Sequence, residues 1–324
     1  MVIYEKLTHH PNAAPSLIGM SLSAFDQLYA EFEVAHTQRL NASRVTRRKR
    51  QVRQRAVGAG HRYQYELRDR LLMTLFWLRC YMTYEVLGFF YDLDKTNVED
   101  NLKDVLATLD TMTTFTLERP PAERKKLNSP QAIMTAFPDV RLVIDAKEQR
   151  VQRPKTTKDP DGHPHDNQKP YYSGKKKAHT IKNQLAVRPD GLIEALSASV
   201  PGGATHDLTL LRQTNLLQEL APDEAAMLDK GYDGIQKDYP TVRLYQPFKA
   251  RRNHPLTEDQ KAYNRHLAHY RIVVEHTNAL LNKFQVLVQV FRHARPSHGR
   301  IIRVIAGLVN RRIQVTPLKT YTAA

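Results

Sequence analysis

Cysteine occurs once in this 324-residue chain, at Cys80 inside an apolar run, so neither a disulfide framework nor a cysteine-based zinc site is available. Apolar stretches of the roughly 18 residues needed to span a bilayer are lacking. The start, MVIYEKLTHHPNAAP, has no basic segment leading into an apolar core, and so does not read as a secretory signal. A cytoplasmic protein with no membrane partner is expected. Acidic residues are scarce: 33 Asp and Glu stand against 49 Lys and Arg, a formal charge of +16, and none falls between Val34 and Tyr65. The basic excess is spread over separated segments instead of one amphipathic helix, which favours nucleic acid over a lipid surface as partner.

The length allows two or three domains at ~100 to 200 residues each. Helical spacing runs from Ser16 to Ala35, with Ser21 or Ser23 as candidate cap. The acid-free stretch that follows includes Arg39, Arg47, Arg48, Lys49, Arg50 and Arg53. It reads as an arm that tracks phosphates, with a plain solvated charge run as the alternative. Leu67 to Leu109 then carries three helical patterns: one to about Tyr81, one from Thr83 to Tyr91, and one from Lys95 with Asp94 as N-cap. This is the spacing of a helix-turn-helix unit, in which Lys95, Thr96 and Asn97 would face base edges; a structural three-helix bundle is the alternative. Trp77, Met82, Phe89, Phe90 and Tyr91 are assigned to its core.

A proline-bearing link around Pro120 to Lys126 marks a boundary, after which the pattern changes to strands. Val140 to Ile144 reads as a buried strand ending at Asp145. The polar stretch Val151 to Tyr171 reads as a long loop; His163 and His165 within it have no third convergent ligand and make a poor metal site. Ala178 to Val187 and Leu192 to Val200 read as a hairpin turning at Pro189-Asp190-Gly191, giving a sheet that grows antiparallel. A helix from Leu208 to about Leu220, capped by Thr205-His206-Asp207, precedes a short strand from Ala225 that ends at Asp229. Val242 to Tyr245 is the last strand, and Thr257 can cap a long helix containing YRIVVEHTNALLNKF, residues 270–284.

Three carboxylates stand out in this order: Asp145 and Asp229 at strand ends, and Glu275 in the late helix. Taken alone, Glu275 reads as an ordinary ion pair with Arg271 one turn away. Taken together, three hard oxygen donors select magnesium or manganese, and two such ions about 3.5 to 4 Å apart would serve phosphodiester cleavage. Arg271 and Lys283 would then hold DNA phosphates. Asp207 competes with Asp229 for the second position; Asp229 is preferred because helix capping is a sufficient reason for Asp207. Lys175, Lys176 and Lys177, after Gly174, are expected to contact DNA, with a solvated cluster as the alternative.

The blocks IDAKEQRVQRP, YSGKKKAHTIK, PGGATHD, LDKGYDG and YRIVVEHTNALLNKF resemble the Harbinger-like DDE transposases of the bacterial insertion-sequence-five family. TLFWLRCYMTYEVLGFFYDLDKTNV resembles their N-terminal helix-turn-helix. The likeness spans roughly Arg68 to Arg312. It implies an α/β fold, with an RNase H-like mixed sheet flanked by helices, preceded by an all-α helix-turn-helix region. It also implies a catalytic triad of Asp145, Asp229 and Glu275, and magnesium-dependent cleavage of double-stranded DNA at terminal inverted repeats. Joining of the freed 3′-hydroxyl to target DNA follows, in a nucleoprotein complex of two or more subunits associated with the bacterial nucleoid. A transposase-derived DNA-binding regulator without catalysis is the alternative. Two departures are visible: Ala146 and Lys147 follow Asp145 where the family usually reads Asp-Gly-Thr, and Lys283 sits one residue later than the Tyr-Arg-Glu-Lys signature places its lysine. The expected division is a helical lead-in and basic arm (1–65), helix-turn-helix domain (66–119), linker (120–138), catalytic domain (139–316) and tail (317–324).

Overall fold

The computed structural model describes residues 3–48, 63–112, 137, 139–158, 164–165, 167–250, 252, 254–316 and 318, with side chains at all of these except 43–48, 157–158 and 164–165. The chain forms two compact units: Met1–Thr114 with Lys283–Val286 and Arg300–Ile305, and Phe115–Asn282 with Leu287–Gly299 and Ala306–Ala324.

The first unit is helical. Helices α1 (Tyr4–His9) and α2 (Ala14–Leu17) lead into the long α3 (Leu22–Arg48), and then α4 (Leu67–Cys80), α5 (Tyr84–Tyr91) and α6 (Lys95–Met112) follow where the periodicity predicts helices. Thr83 caps α5 by accepting from Val86 N–H, and the Asp94 carboxylate accepts from Asn97 N–H at 2.8 Å to start α6. Phe25, Phe32, Leu71, Leu75, Trp77 and Tyr91 are buried together with α6 residues Val98, Leu102 and Val105. Phe89 and Phe90 are not core: α5 is eight residues long and buries Leu87, Gly88 and Tyr91, which leaves Phe89 86% exposed. The expected arm begins as helix. Arg39, in the second half of α3, turns inward, donating to Thr108 Oγ1 at 2.8 Å and pairing with Asp104.

The second unit is built on a seven-stranded mixed sheet. Its long strand β1 (Val140–Arg150) is followed by a two-residue pair, β2 (Thr157–Lys158) with β3 (Pro164–His165). Next come β4 (Tyr172–Ser173), β5 (Ala178–Val187), β6 (Ile193–Leu196), β7 (Val200–Pro201), β8 (Ala225–Met227) and β9 (Arg243–Tyr245), in the spatial order β4-β5-β1-β8-β9, with β6 and β7 also on β5. The β5–β6 hairpin turns at Pro189-Asp190-Gly191, where Gly191 has φ +90°. The sheet is not antiparallel throughout: β8 runs parallel to β1 and to β9, since α7 (Asp207–Thr214) carries the chain back across before β8. That helix also stops earlier than expected, at Asn215 in the left-handed region. Helix α8 (Glu258–Leu281) starts with a full capping box of Thr257 and Gln260, and α9 (His298–Val315) closes the fold.

Alternation divides β1 cleanly. Leu142 and Ile144 join the core cluster with Leu211, Leu217, Leu228 and Tyr232, on the face covered by α7. Val143, Asp145, Lys147 and Gln149 therefore occupy the opposite face, where Asp145 meets Asn278 of α8 and Gln149 meets His298 of α9.

Candidate active site

Asp145 lies within β1, not at its end, because the strand continues through a polar segment to Arg150 that pairs with β5 along its length. In the parallel β1–β8 register Val143 faces Met227. Two residues further along each chain, Asp145 and Asp229 continue that register, Asp229 just past the end of β8 as the residue preceding a short 3-10 turn. Neighbouring strands stand about 4.8 Å apart, so the register itself brings the two carboxylates side by side.

Helix α8 lies over this edge. Arg271, Glu275, Asn278 and Asn282, at steps of four, three and four residues, form one stripe. Arg271 donates from Nη1 to Asp229 Oδ1 at 3.0 Å, and its Nη2 is 4.0 Å from Asp145 Oδ1. Asn278 Nδ2 donates to Asp145 Oδ2 at 3.2 Å. No ion pair joins Arg271 to Glu275 among the described residues, so the simple one-turn pair gives way to pairing across to the sheet. Glu275 itself is exposed.

Burial raises the Asp145 pKa above the usual carboxylate value, opposed by the Ala146 backbone N–H and by Arg271 and reinforced by the negative charges of Glu275 and Asp229. Two of the three carboxylates, Asp145 and Asp229, thus share one guanidinium. Lys147 is on the same strand face; burial pulls its pKa down to about 8 against the pull of Asp145, and the Lys176 charge adds to the lowering.

The donor set fits a hard divalent cation: carboxylate oxygens of Asp145, Asp229 and Glu275, and the buried Asn278 Oδ1, which has no hydrogen-bond partner among the described residues. An unsatisfied buried oxygen costs about 1 to 3 kcal/mol, which a cation would offset. Among the described residues no three His, Cys, Asp or Glu side chains already close around one point. Arg271 pairs with two of the carboxylates instead.

Asp207 is the first residue of α7. It pairs with Lys182 at 2.9 Å, and Lys182 shares the β5 face of Gln184 and Ala186, opposite that of Asp145. Gly231, behind Asp229, keeps space for it: a Cβ there would stand 3.2 Å from Asp207 Oδ2.

The remaining sequence candidates are dispersed. Lys175, Lys176 and Lys177 form the exposed tip of the β4–β5 hairpin, with Lys177 at φ +47°. Lys95 pairs with Glu85 at 2.8 Å, the Asn97 amide is held by Asp94, and Thr96 is exposed. Arg47 and Arg48 end α3, their side chains outside the described ones, as are residues Lys49, Arg50 and Arg53 and the loop histidine His163. Lys283 follows the end of α8 and groups with the first unit, where its carbonyl accepts from Arg79. Sequence reading missed Asn278 and the pairing of Lys147 with Asn282; the helical stripe through Glu275 held the signal for both asparagines.

Residues 144–310 match the family described as DDE superfamily endonuclease. The chain is similar to a probable transposase for insertion sequence element IS702 of Microchaete diplosiphon, 29% identical over 252 residues that cover 78% of this chain and 82% of the relative. No solved structure matches.

Proposed function

The chain belongs to the DDE superfamily endonucleases, and on that premise we propose that it is a DNA transposase of the Harbinger-like insertion-sequence-five group. In this reading the second unit is an RNase H-like nuclease and strand transferase, and helices α4 to α6 form the helix-turn-helix that binds terminal inverted repeats. Two or more subunits assemble on the DNA. The observation that supports it most is the register that sets Asp145 beside Asp229, with α8 laying Glu275 over the same edge.

Asp145, Asp229 and Glu275 would hold two magnesium or manganese ions, which when bound activate a water or 3′-hydroxyl and stabilise the leaving oxygen. Asn278 orients Asp145 through its Nδ2 donor and offers its free Oδ1 to the same site. Partial burial of Asp145 strengthens its interaction with any cation. Arg271, which neutralises part of the carboxylate charge, would turn to a DNA phosphate. The exposed hairpin lysines 175 to 177 would track the backbone of the same duplex.

The test uses the full chain, Mg2+ or Mn2+, and a duplex of the DNA flanking this gene. Wild type should cut at a repeat end, while Asp229→Asn and Glu275→Gln bind but do not cut. The second reading, a DNA-binding regulator, is favoured by the Arg271 pairing, which ties up two of the three carboxylates. Tight binding without cutting by wild type in either metal would select it.

A further inference from the structure

Alternation along β1 puts Lys147 on the face of Asp145, about 6 to 7 Å further along the strand. Its ammonium donates to the side-chain oxygen of Asn282, the exposed C-cap of α8 and the last member of the stripe through Arg271, Glu275 and Asn278. Among the described residues no carboxylate lies within 4 Å of it; Asp145 is its neighbour on the same strand face, two residues back. A half-buried charge whose one partner is neutral is unfavourable unless an anion completes it.

We propose that Lys147 is a phosphate-positioning residue, which holds a non-bridging oxygen of the DNA strand being cut while Asn282 orients its ammonium. The proposal rests on the DNA-cleaving reading above. A DNA phosphate is the anion such a site would present at this distance from the carboxylates, and a single ammonium on a strand, unlike one on a loop, arrives pre-positioned.

The test is a double-substitution cycle. Phosphates across the bound segment of the flanking duplex are replaced one at a time by neutral methylphosphonate, and affinity is read by anisotropy in Ca2+, with cleavage read in Mn2+. At one position wild type and Lys147→Arg should lose about fivefold, and Lys147→Gln should lose nothing further, having already lost that contact. Lys147→Gln should also make the log–log salt slope shallower by about 0.9. Asn282→Asp, which draws the ammonium into an ion pair without removing it, should weaken binding similarly at an unchanged melting temperature. Losses that add at every position, or wild-type affinity in Lys147→Gln, would overturn the proposal while leaving the transposase reading intact. A wild-type chain that binds no duplex would overturn both.

Discussion

Arg271 Nη1 donates to Asp229 Oδ1 at 3.0 Å, crossing from helix α8 to the end of β8. Its Nε is buried without a partner among the described residues, so the guanidinium is spent on carboxylates and not on a full set of hydrogen bonds. A side chain that neutralises the site in this way competes with any cation for the same oxygens.

Arg271→Gln should therefore tighten Mn2+ binding in the absence of DNA by about tenfold, the equivalent of about 1.4 kcal/mol. Titration followed by the paramagnetic signal of free Mn2+ measures it. Equal affinity in the two proteins would show that Arg271 does not guard the site.

Asp207 and Asp229 should separate in function. Asp207→Asn breaks the pair with Lys182 and removes a negative charge from the first turn of α7, costing about 1 kcal/mol of stability with cutting retained. Thermal melts alongside cleavage assays test this; loss of cutting in a stably folded Asp207→Asn would move the second carboxylate to Asp207.

The first unit should depend on Asp104. Burial works to raise its pKa, but hydrogen bonds from His36, Arg70 and Arg39 and the charge of Arg70 outweigh that and hold the carboxyl well below its usual value. Asp104→Ala leaves Arg70, 4% exposed, without its counter-charge, and should cost about 3 to 5 kcal/mol. A carboxyl depressed in the fold stabilises above its unfolded pKa of about 3.9 and loses that contribution as pH falls below it. Denaturation of the full chain across pH 2 to 6 should show the acid-side loss in wild type and not in Asp104→Ala.

His298 should give a second, separate pH dependence. It is buried between Gln149 Oε1 and Ser199 Oγ, and burial, with the Lys147 charge, lowers its pKa to about 4. The unfolded chain takes up the proton first, so stability is complete above about pH 6.5 and falls by about 1.4 kcal/mol per pH unit from there towards pH 4. His298→Gln should flatten that window; an unchanged slope would place the titration elsewhere.

Arginines of the basic stretch should divide by location. Arg39→Gln should lower stability without changing the salt dependence of DNA binding, since its guanidinium is turned to Asp104 and Thr108. Replacing Arg50 and Arg53 together should flatten that dependence by a slope of about 1.8 if both meet phosphate.

Much of the fold was legible because strong local rules coincide. Thr257 before α8, Asp94 before α6 and Gly191 in the hairpin each satisfy a backbone requirement that sequence states openly. What was not legible depended on partners distant in sequence. Nothing local reveals that β8 pairs parallel to β1, yet that register is what sets Asp229 beside Asp145. Phe89 and Phe90 were misplaced because apolar residues on an eight-residue helix outnumber the positions that face the core. The candidate carboxylates were readable from order and resemblance, whereas Arg271 turning from Glu275 to the sheet required coordinates.

The most direct measurement is cleavage of the gene-flanking duplex by wild type and Glu275→Gln, in Mg2+ and in Mn2+, with products mapped to the nucleotide and binding measured on the same samples. Metal-dependent cuts at a repeat end by wild type alone, with binding equal in both proteins, are the expected result. Cutting by Glu275→Gln at the wild-type rate would contradict the assignment of the carboxylate site.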